Sequence, residues 1–585
     1  MKPSRIFDII PYQLENFPQE TAVAAKVDGI YKSYSTKYFL DEANTISKGL
    51  IKLGIKKSDK IALISWNCPQ WLFTDFGIQH LGAVSVPMYP TITEKDYAYI
   101  LKDANVKAVF VQDQDLYDKV SGALKTLGLD LPVYSFNKLE GVDHINALKA
   151  IGEDVKDSEL AEFKEKVIPE DLMTLIYTSG TTGDPKGVMI THKNILTDAY
   201  ALENDIPIDK HSRALSFLPL CHVFARSMAS VYMYKGTSIY YAESMETIGE
   251  NLKEVKPHMF VTVPRLLEKV YDKIYAKGAH LTGIKKILFF WALNLGQQYE
   301  VNNNLGWWYN FQLKIANKLI FKKWREALGG EVKLVVTGGA AMQQRLIRIF
   351  SAGQIPVREG YGLTEVPIVS CNRPDEQRTK IGTVGPIFDC IEIKIADVTG
   401  EILIKGDAVM TGYYNKPEKT AEAIIDGWFH TGDVGVYENG YLQITGRTKE
   451  IFKTSGGKYI APAALENKLK ESKVIEQTMV IGENKKFPAV LIVPNFNGLK
   501  DWCKIKHIDY TTNLEMIKHS KILAKFQREC DKYNKDFANY EKVKKFGLLS
   551  KEWTVETGEL TPTMKGKRKV ILKNNEKLIE TMYAC

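Results

Sequence analysis

"KIALISW" at residues 60–66 is followed by the helix-like "CPQWLFTDFGIQHLG" at 68–82 and by a second β-branched run, "AVSVPMY", at 83–89. A third run, "VKAVFVQ", follows at 106–112. Short apolar runs separated by helical segments are typical of parallel strands joined by crossover helices. This part of the chain therefore predicts a doubly wound α/β sheet.

The same alternation returns further along the chain, which predicts either two such layers or one large one. It returns at "ALSFLPL" (214–220), "TSIYYA" (237–242), "HMFVTVP" (258–264) and "VKLVVTGGA" (332–340).

The pattern changes at residue 391. "IEIKIADVTGEILIKG" (391–406) and "ENGYLQITGR" (438–447) are short strands with Thr-Gly and Asn-Gly turns, which indicates a small antiparallel, β-barrel-like part. A Lys-rich mixed unit follows "GRTKEIFKTSGGKYIAP". We predict a large N-terminal domain over residues 1–447 and a small, mobile α+β domain over residues 448–585.

Composition limits the possible functions. A chain of 585 residues with 45% hydrophobic residues can bury a large core and is long enough for at least two domains. Its net charge of +8 comes without a dense basic stripe or a nucleic-acid-reading motif, so acidic small substrates or a membrane surface fit better than nucleic acid. The seven cysteines include no CxxC pair, which disfavours disulfides and zinc. With no signal peptide and no spanning segment in the sequence, we expect a cytoplasmic protein.

The loop in "TLIYTSGTTGDPKGVMITH" (174–192) is rich in small donors and joins two strand-like runs. It is not a Walker loop, because Lys186 follows a proline and precedes a glycine. Its glycines allow backbone amides to approach an anion, and its hydroxyls and lysine add donors that suit a triphosphate. The candidate donors are Thr178, Ser179, Gly180, Thr181, Thr182, Gly183 and Lys186. Without further support, such a loop is also compatible with a polar surface turn.

Seven motifs in order carry a resemblance to a known family. They are "YTSGTTGDPKG" (177–187), "LSFLPLCHVFAR" (215–226), "TGGA" (337–340), "EGYGLTE" (359–365), "GWFHTGD" (427–433), "GRTKEIFKTSGGKYIAP" (446–462) and "LTPTMKGKR" (560–568). The chain resembles the acyl-adenylate-forming synthetases over nearly its whole length, and most closely the long-chain fatty acid CoA ligases.

That resemblance implies roles that the residues alone leave open. It implies that Lys565 is the adenylation lysine, that Glu365 holds Mg²⁺, and that His222 stands at the mouth of the carboxylate site. For ATP and AMP it implies, besides the loop, Gly338, Gly339, Ala340, Tyr361, Gly362, Thr364, Asp433 and Arg447. It places a domain hinge at Lys449 and a wall of the CoA channel at Ser455, Gly456 and Gly457.

The implied reaction activates a long-chain fatty acid with ATP to an acyl-AMP and transfers the acyl group to coenzyme A. The alternatives are a fatty acyl-AMP ligase that loads a carrier protein and a ligase for medium-chain or aryl acids. A luciferase-like oxygenase and a catalytically inactive relative are less consistent with the motifs, since Glu365, Lys565 and the loop are all present.

A second aromatic-rich region lies between residues 285 and 327, where Trp307, Trp308, Phe321 and Trp324 stand among lysines. Such a segment is compatible with a helix on a membrane surface that collects fatty acids. It is equally compatible with helices packed inside the large domain.

Overall fold

The computed structural model describes residues 2–178, 184–301, 305–375, 377–561 and 565–584. Two eight-stranded sheets dominate the fold. In the first sheet, six parallel strands end in an antiparallel pair at one edge. Its strands, in spatial order, are Gly412–Tyr413, Lys186–Thr191, Leu172–Thr178, Val84–Met88, Lys60–Ile64, Val106–Val111, Val133–Ser135 and Asp143–His144.

The second sheet has six parallel strands with an antiparallel strand at each edge. Its strands, in spatial order, are Ser370–Cys371, Val357–Tyr361, Leu334–Thr337, Met259–Thr262, Arg213–Ser216, Ser238–Tyr241, Val23–Val27 and Ile30–Tyr34.

Helices cover both faces of each sheet, as the apolar strands require. On the strand Lys60–Ile64, Ile61 and Leu63 face a core that lies between the two sheets, whereas Ala62 and Ile64 face an outer helical layer. The helices of this part are Ile9–Asn16, Thr36–Lys52, Pro69–Gln79, Glu94–Asp103, Gln114–Leu127, Ile145–Ile151, Asp157–Glu165, His192–Ala201, Val223–Tyr234, Ile248–Val255, Pro264–Ala279, Gly283–Gln297, Trp307–Ala316, Lys322–Ala327, Gln344–Ala352 and Pro417–Ala423.

The antiparallel part is a five-stranded sheet, as the turn signals predict. Asn439 and Gly440, with φ of 52° and 81°, form the turn of its longest hairpin; this is the conformation that Asn-Gly favours. The strands are Ile391–Ile395, Glu401–Gly406, Ile424–Ile425, Trp428–Glu438 and Tyr441–Arg447.

The C-terminal part has a hydrophobic core of its own, which extends from Phe452 to Met582. It combines a short hairpin, Phe452–Lys453 with Tyr459–Ile460, and a sheet of Ile475–Ile481, Ala489–Pro494 and Lys545–Leu548. Its helices are Pro462–Leu469, Phe496–Lys506, Asn513–Met516, Ser520–Tyr533, Arg568–Asn574 and Glu576–Tyr583. The prediction of a large α/β part with a smaller α+β unit is confirmed, whereas the boundary at residue 447 stays a prediction.

Among the described residues, no helix has both the length and the apolarity needed to cross a bilayer.

Candidate functional site

A cavity that opens to solvent, with about 850 Å³ of empty space including its open part, lies at the carboxyl ends of two neighbouring strands of the second sheet. The strands Leu334–Thr337 and Val357–Tyr361 pair in parallel, so their ends open at the same edge of the sheet, which is where α/β folds bind ligands. Its lining includes Gly338, Gly339, Tyr361, Gly362, Thr364, His222 and Lys565, which the sequence predicts to be site residues.

The predicted phosphate loop joins the strands Leu172–Thr178 and Lys186–Thr191, as its flanking runs indicate. Thr178 and Lys186 stand opposite each other where the two strands meet the loop. The other donors of the loop lie outside the described residues; they are Ser179, Gly180, Thr181, Thr182 and Gly183.

Lys186 and Glu365 are linked through Tyr413, a residue that the sequence analysis did not single out. The Lys186 ammonium lies 4.5 Å from the centroid of the Tyr413 ring. The Tyr413 hydroxyl in turn donates to Glu365 Oε1 at 2.8 Å. Desolvation, followed by the nearby Lys449 ammonium, lowers the pKa of Lys186. Tyr413 thus joins a cation over its ring to a carboxylate at its hydroxyl.

Tyr361, Asp433 and Arg447 form one hydrogen-bonded group. The Tyr361 hydroxyl donates to Asp433 Oδ2 at 2.7 Å, and Arg447 Nε donates to Asp433 Oδ1 at 2.6 Å. Asp433 and Arg447 are also partners across the hairpin of the five-stranded sheet. Since Asp433 is buried and accepts on both oxygens, its carboxylate fixes the positions of the other two side chains.

His222 stands at the start of the buried helix Val223–Tyr234. The backbone N–H of Phe224 donates to His222 Nδ1 at 3.2 Å, which leaves Nε2 as the nitrogen that carries the proton in the neutral ring. Burial, followed by the charge of Lys565, lowers the pKa of His222 to about 4. At neutral pH, His222 therefore lines the cavity as an uncharged donor.

Lys565 reaches this cavity from the C-terminal part. Two hydrogen bonds join it to Thr561, from Lys565 N to the Thr561 hydroxyl at 3.0 Å and from Thr561 N to Lys565 O at 2.8 Å. Desolvation, followed by the Arg447 guanidinium, lowers the pKa of Lys565, while Asp433 and Glu365 act in the opposite direction. The sequence alone does not distinguish Lys565 from the other C-terminal lysines. In the structure its ammonium interacts with both carboxylates of the site, Asp433 and Glu365.

Glycine is required at position 362, because a Cβ there would lie 2.1 Å from the carbonyl oxygen of Pro367. A Cβ added at Gly338, by contrast, would make only ordinary van der Waals contacts, the nearest at 3.4 Å. Ala340 is exposed and does not line the cavity, unlike Gly338 and Gly339 of the same motif.

The hinge and CoA-channel residues predicted by the resemblance do not meet the cavity in this structure. Lys449 is exposed and follows the strand Tyr441–Arg447. Ser455, Gly456 and Gly457 form the exposed turn between Phe452–Lys453 and Tyr459–Ile460. Their roles stay predictions.

Below its polar mouth, most of the side chains that line the cavity are apolar. They come from the turn after the helix His192–Ala201, the buried helix Val223–Tyr234, the strand Leu334–Thr337 and the segments after the strand Val357–Tyr361; they are Leu202, Ile206, Phe224, Met228, Leu334, Val336, Ile368 and Phe388. These residues cannot be identified from the sequence, because nothing in a sequence distinguishes an apolar side chain of a cavity wall from one of the ordinary core.

No group of three or more His, Cys, Asp or Glu residues is placed to hold a metal within the described ranges. Mg²⁺ does not need such a group, since it is usually bound by one or two carboxylates together with substrate phosphates. Glu365 offers one oxygen that the Tyr413 hydroxyl does not use. The donor set therefore fits Mg²⁺ only as a nucleotide-bound ion.

Comparisons with known proteins agree with this geometry. Residues 10–414 match the family of AMP-binding enzymes, and residues 449–585 match the AMP-binding enzyme C-terminal domain. The long-chain-fatty-acid–CoA ligase FadD15 of Mycobacterium tuberculosis is 32% identical over 570 residues, 95% of this chain and 93% of that protein. Long-chain-fatty-acid–CoA ligase 1 of Homo sapiens is 31% identical over 603 residues, 96% of this chain and 83% of that protein.

Solved structures show the same fold. The adenylation domain of a carboxylate reductase from Mycobacterium chelonae aligns with a TM-score of 0.75 and 21% identity over 100% of this chain and 92% of that one. The anthranilate CoA ligase AuaEII in complex with anthranoyl-AMP gives a TM-score of 0.72 and 17% identity over 98% of both chains. Both family domains match in order and relatives above 30% identity span nearly the whole chain, so this protein belongs to the AMP-binding enzymes.

Proposed function

We propose that the protein activates a long-chain fatty acid with ATP to an acyl-AMP and then transfers the acyl group to coenzyme A. The observation that carries this proposal is a cavity that joins a polar mouth at Lys565 and Thr364 to an apolar interior. A fatty acid has the same two parts, a carboxylate and a long apolar tail. The names of the relatives support the same substrate class.

In the first step, a carboxylate oxygen of the acid attacks the α-phosphorus of ATP. A new P–O bond forms, the bond to the β-phosphate oxygen breaks, and pyrophosphate leaves with the electron pair. The protein's contribution is to position the reactants and to stabilise negative charge. Lys565 would face the α-phosphate, and the neutral His222 would donate its Nε2–H to the acid. Asp433 would accept hydrogen bonds from the ribose hydroxyls.

A Mg²⁺ ion bound by Glu365 and the phosphates would neutralise charge on the leaving pyrophosphate. Tyr413 holds the Glu365 carboxylate by its hydrogen bond and lies under Lys186. We infer that this pair of side chains orients both charged groups toward the phosphates.

In the second step, the thiolate of coenzyme A attacks the acyl carbonyl carbon. A C–S bond forms, the bond to the phosphate oxygen breaks, and AMP leaves. We propose that the C-terminal part rotates about Lys449 so that Lys565 withdraws and Ser455, Gly456 and Gly457 form the thiol channel. The separate C-terminal core and the exposed position of that turn support this motion.

Pyrophosphate release, measured with acids of graded chain length and with or without coenzyme A, tests the proposal. Each added CH₂ should contribute up to about 0.8 kcal/mol, a factor of about four in kcat/KM, until the cavity is filled. Acetate should be a negligible substrate, and equal activity on acetate and palmitate would contradict an acyl cavity. Acyl-AMP that accumulates and reacts with a carrier protein but not with coenzyme A would favour the acyl-AMP ligase, and a peak at short or aryl acids would favour the third alternative.

We further propose that the outer face of the helices Gly283–Gln297 and Trp307–Ala316 contacts an anionic membrane surface. Phe289, Tyr309, Phe321 and Trp324 are buried and belong to the core, whereas Trp307, Trp308 and Phe311 are exposed. Between residues 283 and 325 there are seven Lys or Arg and one Glu. Exposed apolar side chains ringed by lysines suit a bilayer interface with anionic lipids. Those exposed side chains are Ile284, Ile287, Trp307, Trp308, Phe311 and Leu319.

Co-sedimentation with phosphatidylglycerol-containing vesicles tests this contact, with pure phosphatidylcholine vesicles for comparison. Trp307→Ser combined with Phe311→Ser should reduce binding to the anionic vesicles at least about fivefold, since both side chains are half or more exposed. Tyr38→Ser, an exposed aromatic residue elsewhere, is the matched control. Unchanged binding of the double variant would refute the surface.

A further inference from the structure

We propose that Tyr99 and Asp103 are positioning residues that set Lys186 against the phosphates of ATP. The inference rests on the proposed function, since it gives two side chains outside the cavity a part in the adenylation step. Both belong to the helix Glu94–Asp103, which contributes no residue to the sequence motifs or to the cavity wall. They are four residues apart and therefore lie on the same face of that helix.

The helix Glu94–Asp103 is itself anchored at its start and along its buried face. Asp96 N donates to the Thr93 hydroxyl at 3.2 Å, and Thr93 N donates to Asp96 Oδ2 at 3.2 Å, which is a capping box. Tyr97 and Leu101 are fully buried in the outer core of the first sheet. Because the helix is fixed to the sheet in this way, its other side chains can hold a neighbouring segment in place.

Asp103 holds the strand that leads into the phosphate loop. The Tyr177 hydroxyl donates to Asp103 Oδ2 at 2.6 Å, and Tyr177 directly precedes Thr178, a predicted donor of the loop. Burial, followed by this hydrogen bond, raises the pKa of Tyr177, so the hydroxyl keeps the proton that it donates. A hydrogen bond to a carboxylate is stronger than one between neutral groups. The first strand of the hairpin is therefore held one residue before the loop begins.

Tyr99 holds the strand that leaves the loop. Its hydroxyl donates to the carbonyl oxygen of Pro185 at 3.1 Å. On the other side of Lys186, the carbonyl oxygen of Gly187 accepts from the backbone N–H of Tyr414 at 2.8 Å. The residues before and after Lys186 are thus both tied to segments outside the hairpin.

Asp103 also contacts the segment that carries the ring beneath the lysine. The side-chain amide of Asn415 donates to the carbonyl oxygen of Asp103 at 3.1 Å. Two residues earlier, Tyr413 lies with its ring centroid 4.5 Å from the Lys186 ammonium. The end of one helix therefore touches both the strand before the loop and the segment under the lysine. A small displacement of a charged group at a reacting centre is costly, so this double contact matters for the rate.

Separate assays of the two half-reactions, with palmitate as the acid, test this inference. Tyr99→Phe should raise the KM for ATP at least about threefold, and Asp103→Ala at least about tenfold, since the second variant loses a charge-assisted hydrogen bond. Asp103→Asn keeps an oxygen that can accept from Tyr177, so its KM for ATP should stay within about twofold of wild type. Reaction of presynthesised acyl-AMP with coenzyme A should be unchanged in all three variants, because acyl-AMP carries no β- or γ-phosphate.

Two matched controls come from the neighbouring helix Gln114–Leu127. Tyr117→Phe removes a hydroxyl that makes no hydrogen bond within the described part of the chain, and Asp118→Ala removes an exposed carboxylate. Neither should change the KM for ATP.

An unchanged KM for ATP in both Tyr99→Phe and Asp103→Ala would overturn the inference. Equal losses in both half-reactions would also overturn it, because they would indicate a general structural defect. If Asp103→Ala fails to fold, Tyr99→Phe decides by the same change in KM. A wild-type enzyme that releases no pyrophosphate with any fatty acid would instead refute the proposed function.

Discussion

Two loops of the C-terminal part have opposite surroundings. Lys565 lines the cavity, where its ammonium interacts with the charges of Arg447, Asp433 and Glu365. The turn Ser455–Gly457 lies in the same part of the chain and is exposed, with its glycines away from the cavity. In the observed orientation of the C-terminal part, Lys565 therefore lines the cavity, whereas Gly456 and Gly457 do not.

The difference suggests why a two-step ligase benefits from a mobile unit. A cation beside the α-phosphate helps the first step, but it would occupy the entrance that the thiol needs in the second. On the proposed mechanism, the C-terminal part resolves this conflict by presenting Lys565 in the first step and the turn Ser455–Gly457 in the second. The contrast between the loops is therefore the feature that mutations can test most directly.

The largest effect is expected for Lys565→Ala. Adenylation, followed by ATP–pyrophosphate exchange, should slow at least about 10²-fold, the scale for losing one preorganised donor at a developing charge. Reaction of presynthesised acyl-AMP with coenzyme A should remain close to wild type. Lys569→Ala, an exposed lysine nearby, controls for the loss of a C-terminal charge, and equal loss in both half-reactions would show that Lys565 is not specific to the first.

Gly456→Leu should give the reverse pattern. In the observed orientation, a Cβ at Gly456 has no atom closer than 4.0 Å, so acyl-AMP formation should be spared. A side chain in a narrow thiol channel should slow the thioester step by about 10²-fold or somewhat less, as for other misplacements in an active site. Gly249→Leu, at another glycine with open space around it, is the control. Normal thioester formation by Gly456→Leu would remove this turn from the channel.

A smaller effect is expected at the contact that holds the observed orientation. Arg265 of the large part forms an ion pair with Glu476, and Lys473 lies 3.4 Å from the centroid of the Tyr275 ring. Because a partly exposed ion pair contributes at most about 1 kcal/mol, Arg265→Ala should slow adenylation up to about fivefold. The thioester step should not slow. Arg348→Ala, which breaks an ion pair within the large part, should change neither step, and a loss in both steps for Arg265→Ala would indicate a general structural defect.

The smallest effect is a change in titration. Burial, followed by Lys565, lowers the pKa of His222 to about 4 from an ordinary 6.5. His222 is therefore uncharged in the folded protein above pH 4, and its contribution to stability is complete above about pH 6.5 and is lost as the pH falls from there through 4. Removing the ammonium in Lys565→Ala should raise this pKa, which NMR titration of the His222 ring can follow. A pKa that does not move would mean that Lys565 spends little time at the cavity in solution.

The sequence predictions that the structure confirms rest on patterns of neighbouring residues. The loop strands and the Asn439–Gly440 hairpin each follow from a few adjacent residues, and the hairpin alone brings Asp433 opposite Arg447. The doubly wound sheets follow from alternating apolar runs. The fold and the edge that carries the cavity are therefore largely readable from the sequence.

Contacts between segments that are distant in the sequence cannot be predicted from such local patterns. Tyr413 meets Glu365 only because the strand Gly412–Tyr413 adds to the edge of the first sheet. Asp205 and Arg373 form an ion pair, although six of the eight strands of the second sheet lie between them in the sequence. In the aromatic segment, a π-helical turn at Asn317–Phe321 lies between Trp308, which is exposed, and Trp324, which is buried, although both stand among similar neighbours.

The short connection between Arg447 and Phe452 has a consequence for binding. A short flexible tether holds a linked unit at an effective concentration in the millimolar range, so the C-terminal part never has to find its partner by diffusion. Contacts as weak as those of Arg265 and Lys473 would not hold two separate chains together, since even millimolar affinity needs about 4 kcal/mol. On the proposed mechanism, the tether keeps the C-terminal part beside the site, and contacts this weak let it leave once per turnover.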